Sequence, residues 1–233
     1  MGETIVTAGG AGVADPGDAA EQQDGRLSRA ARTRAAVVDA LLNLHEQGNL
    51  RPTARDIATE AGVSLRSLYV HFDDLEALFV AASQRQGERL AAVMPPLVTE
   101  GTLDQRLDAF LARRACILDF GAGVRKAALL QAPFSPAIQQ ALSSGRKALR
   151  ADAVCAFGPE LEAAGGKAGK ARLLRAIDIA TGPATWESLR EHQNLSTDEA
   201  VAQLRAMVLA FVHAWVPSAA APATTTSGAS RRG

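Results

Sequence analysis

The stretch "GVSLRSLYVHF", residues 62–72, poses the question on which the fold turns. Leu65, Leu68 and Phe72 follow the three-to-four-residue spacing of a helix with one buried side. Arg66, Ser67, Tyr69 and His71 are interleaved with them. A helix this short, carrying a guanidinium, a hydroxyl, a phenol and an imidazole on its outer side, serves more than a core.

The flanking sequence supplies its setting. Thr53 precedes "ARDIATEA" and reads as the N-cap of a short helix. "AGVS" then makes a tight turn through Gly62, and Ser64 caps the next helix. Asp73 or Asp74 starts a longer one, which runs until Pro95 and Pro96 break it. Two short helices about a glycine turn form a helix-turn-helix, whose second helix can enter a DNA major groove. Ile57, Ala58, Val63, Leu68 and Phe72 would form the small core beneath it.

The outward groups suit a duplex. Arg66 can reach guanine O6 and N7 or a phosphate, and Ser67 a base edge or a phosphate. Leu65 and Val70 can touch thymine methyl groups, while Tyr69 and His71 can donate to backbone oxygens. Ser64 joins them at the head of the helix. The start of the helix after Thr53 offers free amides to another phosphate. From Arg26 to Phe72 there are seven arginines and Asp39, Glu46, Asp56 and Glu60, which leaves +3 in a chain whose formal net charge is zero. Arg26, Arg29, Arg32 and Arg34 cluster where they can follow the phosphate backbone or enter the minor groove.

The rest of the 233 residues read as helical throughout. Hydrophobic residues make up 47% of the chain but aromatics only 4%, so alanine and leucine carry the apolar surface. A first helix is placed at 29–47, with Val37, Val38, Leu41, Leu42 and His45 on one side and Gly48 as its stop. Further helices are placed near 103–120, 122–132, 135–157, 168–192 and 197–215, with a kink expected at Gly182-Pro183. Residues 1–25 and 217–233 read as disordered tails, 26–75 as the DNA-binding domain and 76–216 as a helical regulatory and dimerisation domain. Cys116 and Cys155 are expected to be buried free thiols in a reducing cytoplasm. The N-terminus does not read as an export signal, and no apolar run reaches the length of a membrane span. No clustered titratable groups, metal-ligand spacing or phosphate loop appear, so an enzyme, a cofactor and a metal site are not expected.

At this point a resemblance is specific. "TARDIATEAGVSLRSLYVHFDDLEALF", residues 53–79, resembles the DNA-binding domain of the TetR family of transcriptional regulators. The shared pattern is Ile57-Ala58, Ala61 to Ser64, Leu68-Tyr69, His71-Phe72 and Glu76 to Phe79. Two departures stand out. Arg66-Ser67 replaces a smaller Gly-Thr pair, and Leu75 stands where a lysine usually begins the fourth helix. The resemblance implies an all-α homodimer, each subunit with a three-helix DNA-binding head and a helical ligand-binding and dimerisation body. It implies phosphate contacts by Tyr69, His71 and Thr53, and base reading by Leu65, Arg66 and Ser67.

In the body, Phe110, Cys116, Phe120, Leu130, Phe134, Leu142, Trp186 and Leu189 are candidate pocket residues for an unidentified, largely apolar effector. Leu174, Ile177, Val201, Leu204, Val208, Phe211, Val212 and Trp215 are candidates for the dimer interface. The function so implied is repression from a palindromic operator, relieved by a small ligand. The alternative is a regulator without an effector, controlled by a protein partner or by its own abundance.

Overall fold

The computed structural model describes the backbone of residues 16–217 and the side chains from residue 27 onward. These described residues are helical, with no strand among them. The chain divides into two compact units, Met1–Arg85 and Gln86–Gly233. The division falls later than the boundary expected at 75/76, inside a helix.

The first unit holds α1 (Pro16–Glu46), α2 (Ala54–Glu60), α3 (Leu65–His71) and the beginning of α4 (Leu75–Val93). α1 starts well before the helix expected at 29–47, so residues 16–25 are not an irregular tail. Pro16 is suited to a first helical turn, and "DAAEQQ" behind it is rich in helix formers. Apart from Pro217, the other tail residues lie outside the described ones. α1 ends at Gly48, whose φ of 88° lets Asn49 N donate to Leu44 O at 2.9 Å.

Val37, Val38, Leu41, Leu42, Ile57, Ala58, Leu68, Phe72, Leu78 and Phe79 are buried in this unit. Of the expected small core, only Val63 is half-exposed. His45 is buried as well, with its ring stacked on Phe79 at 5.3 Å and neither ring nitrogen hydrogen-bonded.

The second unit contains α5 (Leu103–Phe120), α6 (Ala122–Gln131), α7 (Pro136–Ala156), α8 (Gly158–Ala163), α9 (Gly166–Ala180), α10 (Pro183–Glu187) and α11 (Thr197–Trp215). A π-helical turn, Ser188–His192, extends α10. The single helix expected over 168–192 is thus two helices, interrupted at Thr181 and Gly182 because Pro183 has no amide hydrogen to continue the ladder. α8 was not anticipated; Pro159 sits in its first turn and Leu161 is buried in the core. One continuous core joins Leu107, Phe110, Leu111, Leu118, Phe157, Leu173, Ile177, Trp186, Leu204 and Val208. Both cysteines are free, but Cys155 is exposed and Cys116 half-buried, which corrects the expectation of buried thiols.

Two arginines of α5 cross this core. Arg106 forms a two-pronged pair with Glu160 of α8, at 2.9 and 2.6 Å, and also donates to Ala156 O. The hydrogen bond to Glu160 raises its pKa. Arg114 lies over the Phe110 ring and donates to Leu149 O at 2.7 Å and Thr181 O at 3.4 Å. Burial lowers its pKa to about 10, against the opposing pull of Asp152 and Asp178.

The buried His45 makes a test of the first unit. Burial lowers its pKa from 6.5 to about 4. Between those values the unfolded chain takes up a proton that the folded unit refuses, so stability falls as pH falls through that window. Thermal unfolding of the wild type should lose up to about 3 kcal/mol more between pH 7 and pH 4 than His45→Phe does. Parallel pH profiles for the two proteins would refute this.

Candidate nucleic-acid interface

α2 and α3 are held by their ends. Thr53 caps α2: its hydroxyl accepts from Asp56 N at 3.2 Å, and the Asp56 carboxylate accepts from Thr53 N at 2.8 Å. That reciprocal cap draws the Asp56 pKa down. At the other end Gly62, with φ of 65°, lets Val63 N donate to Ala58 O at 2.9 Å and Gly62 N to Thr59 O at 3.1 Å. This double closure ends α2 and aims the chain into α3. Ser64 caps α3 by accepting from Ser67 N at 3.0 Å. Asp74, rather than Asp73, caps α4, accepting from Ala77 N at 2.7 Å.

With Leu68 and Phe72 buried, the opposite face of α3 is open. Arg66, Tyr69 and Val70 are exposed, and Ser67 and His71 are half-buried; Leu65, placed by its spacing on the side of Leu68 and Phe72, is exposed as well, at the first position of the helix. Successive helical turns place Tyr69 beyond Leu65 and Val70 beyond Arg66.

The N-terminal arginines differ among themselves. The Arg26 side chain lies outside the described residues. Arg29 and Arg32 are exposed, and Arg32 Nε donates to Ser28 O at 3.4 Å. Arg34 lies with its guanidinium 4.7 Å from the centre of the Phe72 ring, so it ties α1 to the end of α3. Thr53 is exposed, but its hydroxyl is engaged with Asp56. The reading of the sequence missed Asp56, the Arg34–Phe72 contact and the lack of partners around His45. Only the first had a signal, the S/T-x-x-acid spacing.

The candidate pocket residues differ in burial. Phe110, Trp186 and Leu189 are core, Leu130 and Phe134 are exposed, and Cys116, Phe120 and Leu142 are half-buried. Trp186 Nε1 donates to Asp119 at 2.8 Å. An open-sided cavity of about 310 Å³ is lined by Ala184, Thr185, Ser188, Leu189, Gln193 and Met207, and shares only Leu189 with that set. Leu174, Ile177, Leu204, Val208 and Val212 are buried in the chain's own core, and Val201, Phe211 and Trp215 pack against it. The apolar stripes of α9 and α11 face inward because each helix must first bury its own subunit's core.

Residues 37–82 match the family model of bacterial regulatory proteins, tetR family. Over those residues the chain is similar to the tetR family of bacterial regulatory proteins. The match begins in α1 and ends in α4, so it includes the whole of α2 and α3.

Solved structures agree in fold. A transcriptional regulator from Rhodococcus sp. Rha1 is similar with a TM-score of 0.61 and 16% identity, over 79% of this chain and 96% of that one. A TetR transcription regulator from Haloarcula marismortui is similar with a TM-score of 0.55 and 17% identity, over 79% of this chain and 98% of that one. No curated protein matches the sequence significantly.

The Arg34–Phe72 contact can be weighed directly. A double-mutant cycle with Arg34→Ala and Phe72→Leu, read by chemical denaturation, should give a coupling of about 0.5–1 kcal/mol. Additive losses would show that the guanidinium does not hold the ring.

Proposed function

We propose that this TetR-family regulator acts as a homodimeric repressor, binding a palindromic operator and leaving it when a small, largely apolar effector occupies the body. The observation that carries the DNA part is the outward face of α3, where Leu65, Arg66, Tyr69 and Val70 stand exposed on a helix capped at Ser64 and buried at Leu68. Tyr69 and His71 then serve as phosphate contacts, Arg66 and Ser67 as base readers, and Arg29 and Arg32 as contacts with the flanking backbone.

Dimerisation is supported by the outer side of α11. Ala202, Ala206 and Ala210 are exposed there at four-residue spacing, and such small side chains let a second helix approach closely. A two-fold dimer would set two recognition helices about 34–36 Å apart, one turn of the duplex. Introducing a charge on that stripe should separate the subunits. Ala210→Arg is expected to sediment as a monomer and to bind a full operator more than tenfold more weakly; a dimer with unchanged affinity would place the interface elsewhere.

Relief by an effector is the reading that the family pattern suggests. A second reading, regulation without a small molecule, has its own support: Phe110 packs edge-on against Phe157 at 5.0 Å inside a continuous core, rather than lining a space. A thermal shift with apolar compounds that also lowers DNA affinity favours the first; shifts with no effect on DNA favour the second.

Selection of bound duplexes from a random pool tests the central reading. A palindrome with half-sites one helical turn apart is expected. Arg66→Ala should then relax the preference at one or two base pairs, with a loss of about 1–3 kcal/mol. An unchanged selected motif would remove Arg66 from base reading.

A further inference from the structure

The exposed apolar side chains of the first unit are not scattered. Among the described residues, and apart from Leu27, the large ones are Leu65 at 42%, Tyr69 at 50% and Val70 at 71% exposure, and all three lie on the seven residues of α3. Single exposed apolar residues need no explanation, but a cluster marks a contact surface. Tyr69 carries a hydroxyl that gives it polar work. Val70 has none, and a β-branched residue in an exposed helical position lowers helix propensity. Nothing in the packing of α3 calls for it.

Val70 stands one helical turn beyond Arg66, on the same outward face. Four residues of helix advance about 6 Å, or roughly two base-pair steps along a duplex. We infer that Val70 is a specificity-determining residue that packs against a thymine methyl group, within one or two base pairs of the guanine read by Arg66. The inference rests on the DNA-binding reading above and names the chemistry of its half-site. The C5-methyl is the one apolar feature that the major groove presents, and two Val methyls are its size and polarity match. A phosphate partner is ruled out for Val70 because it offers no hydrogen-bond donor.

Replacing thymine by deoxyuridine deletes that methyl and nothing else, so it isolates the contact. The selected operator is resynthesised with each thymine of a half-site changed in turn, and binding is compared for the wild type and Val70→Ala. One position, beside the guanine that Arg66→Ala makes indifferent, is expected to weaken wild-type binding about fourfold per half-site. Val70→Ala should show no loss at that position. Thymine-to-deoxyuridine changes that leave tight wild-type binding untouched would overturn the inference while the DNA-binding reading stands. An equal loss in both proteins would assign the methyl to another side chain and overturn it also. A folded protein that enriches no duplex would remove the DNA-binding reading, and this inference with it. Alanine is the better helix former, so an unchanged or raised melting temperature for Val70→Ala separates lost contact from lost fold.

Discussion

α3 has seven residues, too few for a helix to persist in water by itself. Its existence depends on the burial of Leu68 and Phe72 where α1, α2 and α3 pack together. Ser64 closes one end and the Phe72 amide, donating to Leu68 O, closes the other. Because stability comes from one face and from the caps, the other face is free of any packing duty. Its side chains can be chosen for what they touch outside the molecule. A longer, self-supporting helix would not need the glycine turn at Gly62, whose backbone sets the angle between α2 and α3. Arg34 adds a restraint from α1, laid over the same Phe72 ring that anchors the helix.

The second unit solves a different problem, the register of many alanine-rich helices with few large side chains to interlock. Here α5 carries charges inward. Arg106 reaches Glu160 of α8, and Arg114 reaches the carbonyls of Leu149 in α7 and Thr181 at the end of α9. A buried guanidinium adds little net stability compared with an apolar residue of its size, but it cannot be left without acceptors. An arrangement that moved these acceptors of α7, α8 or α9 away would strand a charge. Trp186 bonded to Asp119 fixes α10 against the end of α5 in the same way.

The head was legible because its signals are local. Thr53, Gly62 and Ser64 act within four residues of themselves, and caps and turns follow from residue type and spacing. Buried Leu68 beside exposed Tyr69 follows from helical period alone. The start of α1 was misjudged because a stretch rich in Gly, Ala, Asp and Gln with no apolar period reads as a tail, whereas α1 begins at Pro16. In the body the positions of α5, α7 and α11 were legible from period and proline. Their neighbours were not. Whether Leu204 faces its own core or a second copy depends on which helices pack together, and an apolar stripe looks the same in both cases. Arg106 and Arg114 were passed over for a related reason, since a burial that depends on a distant glutamate or carbonyl leaves no periodic trace.

A neutral chain has no long-range field to draw it to DNA, so its affinity must come from the few charges at the interface. Arg34 is held by Phe72, Asp73 and Asp74 stand at the end of α3, and Leu75 supplies no cation. On the proposed reading, backbone contacts are fewer than a strongly basic domain would make, and the non-specific share of binding shrinks with them. Selectivity improves when that share falls, because discrimination then rests on base edges. An apolar contact is suited to such a surface. It is not weakened by salt as phosphate contacts are, and it rewards one base without attracting the rest of the duplex. Val70, costly to the helix and unused by the core, is consistent with a reader that gains its preference by shape and methyl contact where charge is scarce.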